Sequence, residues 1–287
     1  MMKRSVRNTI RTVVAAVVVI GAGFGADRII SDAPREAAQN SIAPGSRHYP
    51  DLDKVNMADP LTPSQFKQYE GFSLSFNKDN RTPNYVAWEL LGTEADGVAA
   101  TRTNRFWQDS DIKGCPVTKD YTGSGYDRGH MCPAADQKWS AQAMEDCFSL
   151  ANICPQNHNI NAGIWADLED LERQWARRDS AIVIVAGPIY DDSDTERIGS
   201  AGVRVPHAFF KVILAPYLDT PRAIGFIFPN QTNTSGLTPE KLAMTVDEVE
   251  EKTGLDFFFA LDDQLETQVE KECSFREWTT NIKPIGK

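Results

Sequence analysis

Positive charge is in short supply in this chain. Across 287 residues, 30 Lys and Arg face 40 Asp and Glu, for a net charge of -10. That excludes a protein that coats nucleic acid by bulk electrostatics, while leaving room for an enzyme with a local basic cleft. Histidine is scarcer still, with four in all, so imidazole chemistry can fall on very few positions. No apolar run reaches the roughly 20 residues of a comfortable membrane span. The five cysteines include no tight Cys-x2-Cys pair, which argues against a zinc site built from His130, Cys132, Cys147, Cys154 and His158. No internal repeat, low-complexity run or regular βαβ alternation is present.

What remains is an ordinary globular composition, 41% hydrophobic and 24% charged, long enough for one large domain or two small ones. The N-terminus differs from the rest. MMKRSVRNTIR is basic and free of acid, and Thr12–Ala26, TVVAAVVVIGAGFGA, is small and apolar. This layout predicts a secretory signal or an uncleaved N-terminal membrane anchor over residues 1–26, with a mitochondrial presequence as the third option. Residues 27–65 are polar, contain proline and lack either hydrophobic period, and so read as a linker or as an arm wrapping the domain. Residues 66–287 form the expected domain.

Within it, FSLSFN and NYVAWELLG read as strands. AIVIVAGPIY (181–190) reads as a buried strand ended by Gly-Pro, and HAFFKVILAP and RAIGFIFPN as two more stopped by proline. TPEKLAMTVDEVEEKTG reads as one helix, capped by Thr238, with Pro239 in its first turn and Gly254 at its end. NAGIWADLEDLERQWARR (161–178) is the clearest helix: Ile164, Leu168, Leu171 and Trp175 make one apolar stripe, and Glu169 and Arg173 are neighbours at i and i+4. Strands and helices mixed in this way predict an α+β fold around a largely antiparallel sheet flanked by helices.

One short stretch carries chemistry. YDRGHMCPAAD places His130 two residues after Arg128, and SLANICPQNHNINAGIWADLEDLER supplies amides and a carboxylate. A histidine base near neutral pKa, an amide oxygen for a hard cation and arginines facing an anion suit phosphodiester hydrolysis. A core or surface role for His130, an N-cap role for Asn161 and a plain surface pair for Glu169 and Arg173 are the competing structural readings.

With these motifs in order, the chain resembles the DNA/RNA non-specific endonucleases, the sugar-non-specific group with a ββα-metal (His-Me finger) site. The match runs over roughly 84–256 and rests on DRGH, on the run N-x-x-P-Q, then Asn, then W-x-x-L-E, and on VAGPIY, VPHAFFKVIL, AIGFIFPN and EEKTGLDFF in sequence order. The resemblance implies that His130 is the general base and that Asn161 is the protein ligand of Mg2+, with Mn2+ a possible substitute. It also implies that Glu169 holds a metal-bound water and that Asn152 supports the site by hydrogen bonds. Arg128, Arg173 and Arg105 would meet phosphate, and Asp127 would brace the loop. The substrates implied are DNA and RNA, held through the phosphate backbone, with 5'-phosphate products. A homodimer and a membrane tether through residues 12–26 stay open. Placement outside the cytoplasm follows from the danger of an unspecific nuclease to its own genome, with mitochondria as the alternative. Phe148 is a departure, because the family often has a polar residue there.

Two rival functions remain at this stage, a catalytically silent nucleic-acid-binding module on the same fold and a phosphodiesterase for smaller substrates. Cys132 and Cys154 each precede a proline in the two site segments, and a bridge between them would tie those segments together.

Overall fold

The computed structural model describes residues 51–282. The signal or anchor expected over 1–26 and the first part of the 27–65 segment lie outside the described residues. Among the described residues, no helix is long and apolar enough to cross a membrane. The described part of that segment is an ordered arm. Leu52 is buried, and β1 (Asn56–Met57) pairs with β13 (Leu255–Asp256) from the far end of the chain.

The other strands are β2 (Gln65–Gln68), β3 (Ser73–Asn77), β4 (Thr82–Leu91), β5 (Asp127–His130), β6 (Ile153–Gln156), β7 (Ala181–Ile189), β8 (Arg197–Ile198), β9 (Val203–Arg204), β10 (Ala208–Ala215), β11 (Arg222–Pro229) and β12 (Ala243–Met244). Seven of them form one sheet in the order β12-β11-β10-β7-β4-β3-β2, antiparallel at every pairing. The protein is therefore α+β with a central antiparallel sheet.

The central strands are buried on both faces, which is why they read as unbroken apolar runs rather than as alternations. Ile182 and Ile184 of β7 and Phe209 and Ile213 of β10 point into one core. Val183, Val185, Phe210 and Val212 point into the other. The first core is covered by the Trp165–Asp179 helix, whose Leu168, Leu171 and Trp175 are buried. The second takes in Val246 and Val249 from one helix and Val269 from another.

Three expectations are corrected. β7 does not stop at Gly-Pro but continues through Pro188, which faces Phe209 of β10. The pairing of β7 with β4 ends at Ala186, so on that side the missing N–H of Pro188 forfeits no ladder bond. Residues 238–254 form two helices, Pro239–Leu242 and Val246–Thr253, parted by β12, which pairs with β11. Thr245 starts a capping box with Glu248 in the middle of the stretch, and so restarts the helix where a continuous one was expected. Gly254 does end it, in the left-handed region at φ 68°. Finally, the helix expected from Asn161 starts later, and the competing N-cap reading of Asn161 does not hold. It lies in a π turn, Ile160–Ile164, broken by Gly163 at φ -117°, ψ -117°, and the α-helix proper begins at Trp165.

Candidate active site

β5 and β6 form a separate antiparallel pair, with Asp127 opposite Gln156, Gly129 opposite Cys154 and His130 opposite Ile153. The chain then passes through the π turn into the Trp165–Asp179 helix, giving a ββα unit. Gly129 permits the close pairing: a Cβ there would fall 2.2 Å from Gln156 Oε1 and 2.5 Å from its Cβ.

Side chains alternate along β5, so Arg128 and His130 share one face and Asp127 takes the other. Phe106 covers the shared face. Its ring lies 5.4 Å from the His130 ring and 5.3 Å under the Arg128 guanidinium. Arg128 also donates to the Thr118 carbonyl at 3.2 Å. Phe148 meets His130 edge-on at 5.0 Å. His130 is thus only 7% exposed. Burial, and after it the charge of Arg102, pushes its pKa down to about 3, which keeps the imidazole neutral. Its Nε2 is buried and has no partner among the described residues.

Asn152 is fully buried and fastens the chain just beyond His130. It accepts from the Cys132 N–H and donates to the Cys132 and Cys147 carbonyls, each at 2.9 Å. Asp127 does the corresponding work for Asn161. The Asn161 Nδ2 donates to Asp127 Oδ2 at 2.9 Å, and His158 Nδ1 lies 2.8 Å from the same oxygen. A carboxylate accepts and does not donate, so the amide turns its nitrogen to Asp127, and Oδ1 has no partner among the described residues. A neutral amide oxygen beside a carboxylate suits a hard cation that keeps most of its water. Asn230 pins the same segment, accepting from the Asn157 N–H at 2.8 Å and donating to the Pro155 and Pro206 carbonyls.

Glu169 and Arg173, both half-buried, belong to a neighbouring charge group. Arg173 donates to Asp136 at 2.9 Å and to Asp170, rather than pairing with Glu169 as their i,i+4 spacing allowed. Asp136 is fully buried and also accepts from Trp88 Nε1. Lys211, buried among the apolar residues of β10, donates to both oxygens of Glu172 at 3.0 Å. Burial pushes the Glu169 carboxyl up to about 7. Lys211 and Arg173 pull it down, while Glu172 and Asp136 push it further up.

The structure links His130 to Arg128 through Phe106 and to Asn152 through the Cys132 backbone; Asn161 is held separately by Asp127, and Glu169 and Arg173 lie in a further group. Arg105 is exposed, and among the described residues only its backbone N–H is bonded, to Thr103. The Asp127–Asn161 bond, the Lys211–Glu172 pair and the aromatic enclosure of His130 were missed from sequence. Only Lys211, a lone charge in the apolar run HAFFKVILAP, left a signal there.

All five cysteines are free, and a Cys132–Cys154 bridge is not formed. Pairing of β5 with β6 sets Cys154 against Gly129, three residues short of Cys132. The Cys132 thiol instead accepts from Gln137 Nε2 at 3.1 Å.

Comparison with known proteins agrees with this architecture. The DNA/RNA non-specific endonuclease family matches residues 54–264, and the chain belongs to that family. "Nuclease EXOG, mitochondrial" of Xenopus laevis is 35% identical over 217 residues, 71% of this chain and 61% of that protein, so the chain spans about three fifths of this relative's length. "Nuclease C1" of Cunninghamella echinulata var. echinulata is 34% identical over 225 residues, 72% of this chain and 88% of that one. Among solved structures, an EndoG/EndoGI complex is similar, with a TM-score of 0.64 at 27% identity, over 70% of this chain and 88% of that one.

Proposed function

We propose that the protein is a divalent-metal-dependent, sequence-independent endonuclease that hydrolyses phosphodiester bonds of DNA and RNA, with His130 as general base. The observation that carries the reading is a neutral imidazole, almost fully buried, sharing a strand face with Arg128. Nε2 is shielded, so proton uptake from the attacking water is assigned to Nδ1. Arg128 opposes the charge that grows on the phosphate. Arg105 has its whole guanidinium available for the same purpose. Arg173, already held by two carboxylates, contributes its charge more than its hydrogen bonds. Asn152 keeps His130 in place through the Cys132 backbone. Asn161 would hold the ion by Oδ1, with Asp127 fixing the amide and Glu169 placed to accept from its water shell. Mg2+ is the ion proposed, with Mn2+ as its nearest substitute. When bound, such an ion supplies Lewis-acid stabilisation of the leaving oxygen.

Contacts of this kind go to phosphates, so base preference should be weak. The family resemblance supports 5'-phosphate products. For location, the basic and acid-free N-terminal flank fits a mitochondrial presequence, and the frog relative carries a mitochondrial name. Either that compartment or the cell exterior keeps the enzyme from its own genome, and subcellular fractionation decides between them.

The test follows supercoiled plasmid and an unrelated RNA on a gel, with Mg2+ and with EDTA, for the wild type and His130→Ala. Mg2+-dependent loss of both substrates is expected, with the variant slower by about 10²–10⁴-fold. Cleavage that survives the substitution would remove His130 from its role. Binding without cleavage by the wild type would leave a silent binding module.

A further inference from the structure

Two aromatic rings pack against the imidazole of His130 and against each other, and each carries a guanidinium. Phe106 carries Arg128 at 5.3 Å. Phe148, 5.0 Å from His130 on its other contact, carries Arg102, also at 5.3 Å. Phe148 is fully buried and is the residue that departs from the polar choice common in the family. Its ring offers Arg102 a seat by cation–π attraction.

Arg102 is exposed but not loose. Its Nε donates to Asn104 Oδ1 at 2.8 Å, and Asn104 turns the chain at φ 54°. The loop is tied down at both ends: Ala100 N–H donates to the Lys138 carbonyl at 2.9 Å, Trp107 N–H to the Phe148 carbonyl at 3.1 Å, and Leu150 N–H to the Trp107 carbonyl at 2.8 Å. Among the described residues, no carboxylate pairs with Arg102, and its terminal amines have no protein partner. A planar two-pronged donor, held in place and left open beside the base, fits a phosphate oxygen pair. The charge of Arg102 also weighs on His130, behind the effect of burial.

We propose that Arg102 binds a phosphate next to the one being cut, seated there by Phe148. This rests on the nuclease reading above. Arg128 shares the strand face of His130 and takes the scissile phosphate. Arg102 is set off from the imidazole by the width of the Phe148 ring, no more than about 10 Å away through the two ring contacts, a distance within which neighbouring phosphates of one strand fall. The preferred substrate is therefore a strand that continues past the cleavage site with a phosphate.

The test uses the full chain, Arg102→Gln, and Lys54→Gln as a control for loss of one surface charge. Binding to a long oligodeoxythymidylate is measured in EDTA over a salt series. Hydrolysis with Mg2+ is then compared for thymidine dinucleotides without a terminal phosphate, with a 5'-phosphate and with a 3'-phosphate. For Arg102→Gln, the slope of log affinity against log salt should fall by about one and the affinity by about tenfold, with no such change in Lys54→Gln. One terminal phosphate should raise wild-type kcat/KM by about tenfold, and Arg102→Gln should lose most of that gain. An unchanged slope together with an unchanged response to the terminal phosphate overturns the inference and leaves the nuclease reading standing. A wild type that cleaves neither plasmid nor dinucleotide overturns both.

Discussion

Lys211 and Glu172 meet in the core with neither side chain exposed, the ammonium 3.0 Å from each carboxylate oxygen. Trp165 lies beneath the same ammonium at 4.4 Å. Taking away one partner strands a buried charge. Lys211→Met should therefore destabilise the protein by about 3–5 kcal/mol, whereas Lys211→Met with Glu172→Leu should recover most of that loss. Urea unfolding of the two variants measures both, and a double variant no more stable than the single one would contradict the argument.

Asp127 holds the amide of Asn161. Removing it in Asp127→Ala lets the amide rotate, and with Asn161 as the proposed metal ligand, Mg2+ binding should weaken by about 10–100-fold. His158 touches the same carboxylate but is largely exposed, so His158→Ala should have a much smaller effect. Titration calorimetry with Mg2+ alone reads both. Equal losses in the two variants would place the support elsewhere.

Two groups respond to pH with opposite sign. His130 has a folded value near 3, below its ordinary 6.5. Between these the unfolded chain takes up a proton that the folded one refuses, and stability falls as pH drops from about 6.5 towards 3. Glu169 has a folded value of about 7, above its ordinary 4.5. Its contribution is present below 4.5 and is lost as pH rises through 7. For catalysis, His130 is already neutral at pH 5, so the acid limb of kcat/KM at low Mg2+ should follow Glu169, near pH 7. Raising Mg2+ should move that limb down, and Glu169→Gln should remove it. A limb that stays fixed in Glu169→Gln would assign it to another group.

Four of the cysteines are buried and all five are free. All five should react with a thiol reagent in guanidinium without reductant, and Tm should be the same with and without dithiothreitol. Fewer than five reactive thiols would reveal a bridge.

Much of the fold was legible because its signals are local. Unbroken apolar runs marked β7, β10 and β11, and the stripe of Leu168, Leu171 and Trp175 marked the helix that covers the first core. Where local signals conflicted, the reading failed. Thr245 and Glu248 make a capping box in the middle of what looked like one helix, and Pro188 sits in a strand because one neighbouring strand ends first. At the site, the sequence could put His130 two residues from Arg128, on one face of a strand. It could not pair Arg173 with Asp136, 37 residues away, in preference to Glu169, four residues away.

The sequence by itself determined which segments bury their side chains and where the candidate site residues cluster, since spacing along a strand or helix fixes which of them share a face. Only the tertiary structure decided their environments. Asn161 is oriented by Asp127, 34 residues distant. His130 is kept neutral by the packing of Phe106 and Phe148, and Arg102 is brought to its side by a loop fastened to Phe148. Each of these depends on register and on what lies across the gap between elements, and desolvation and charge act through space, whatever the separation along the chain.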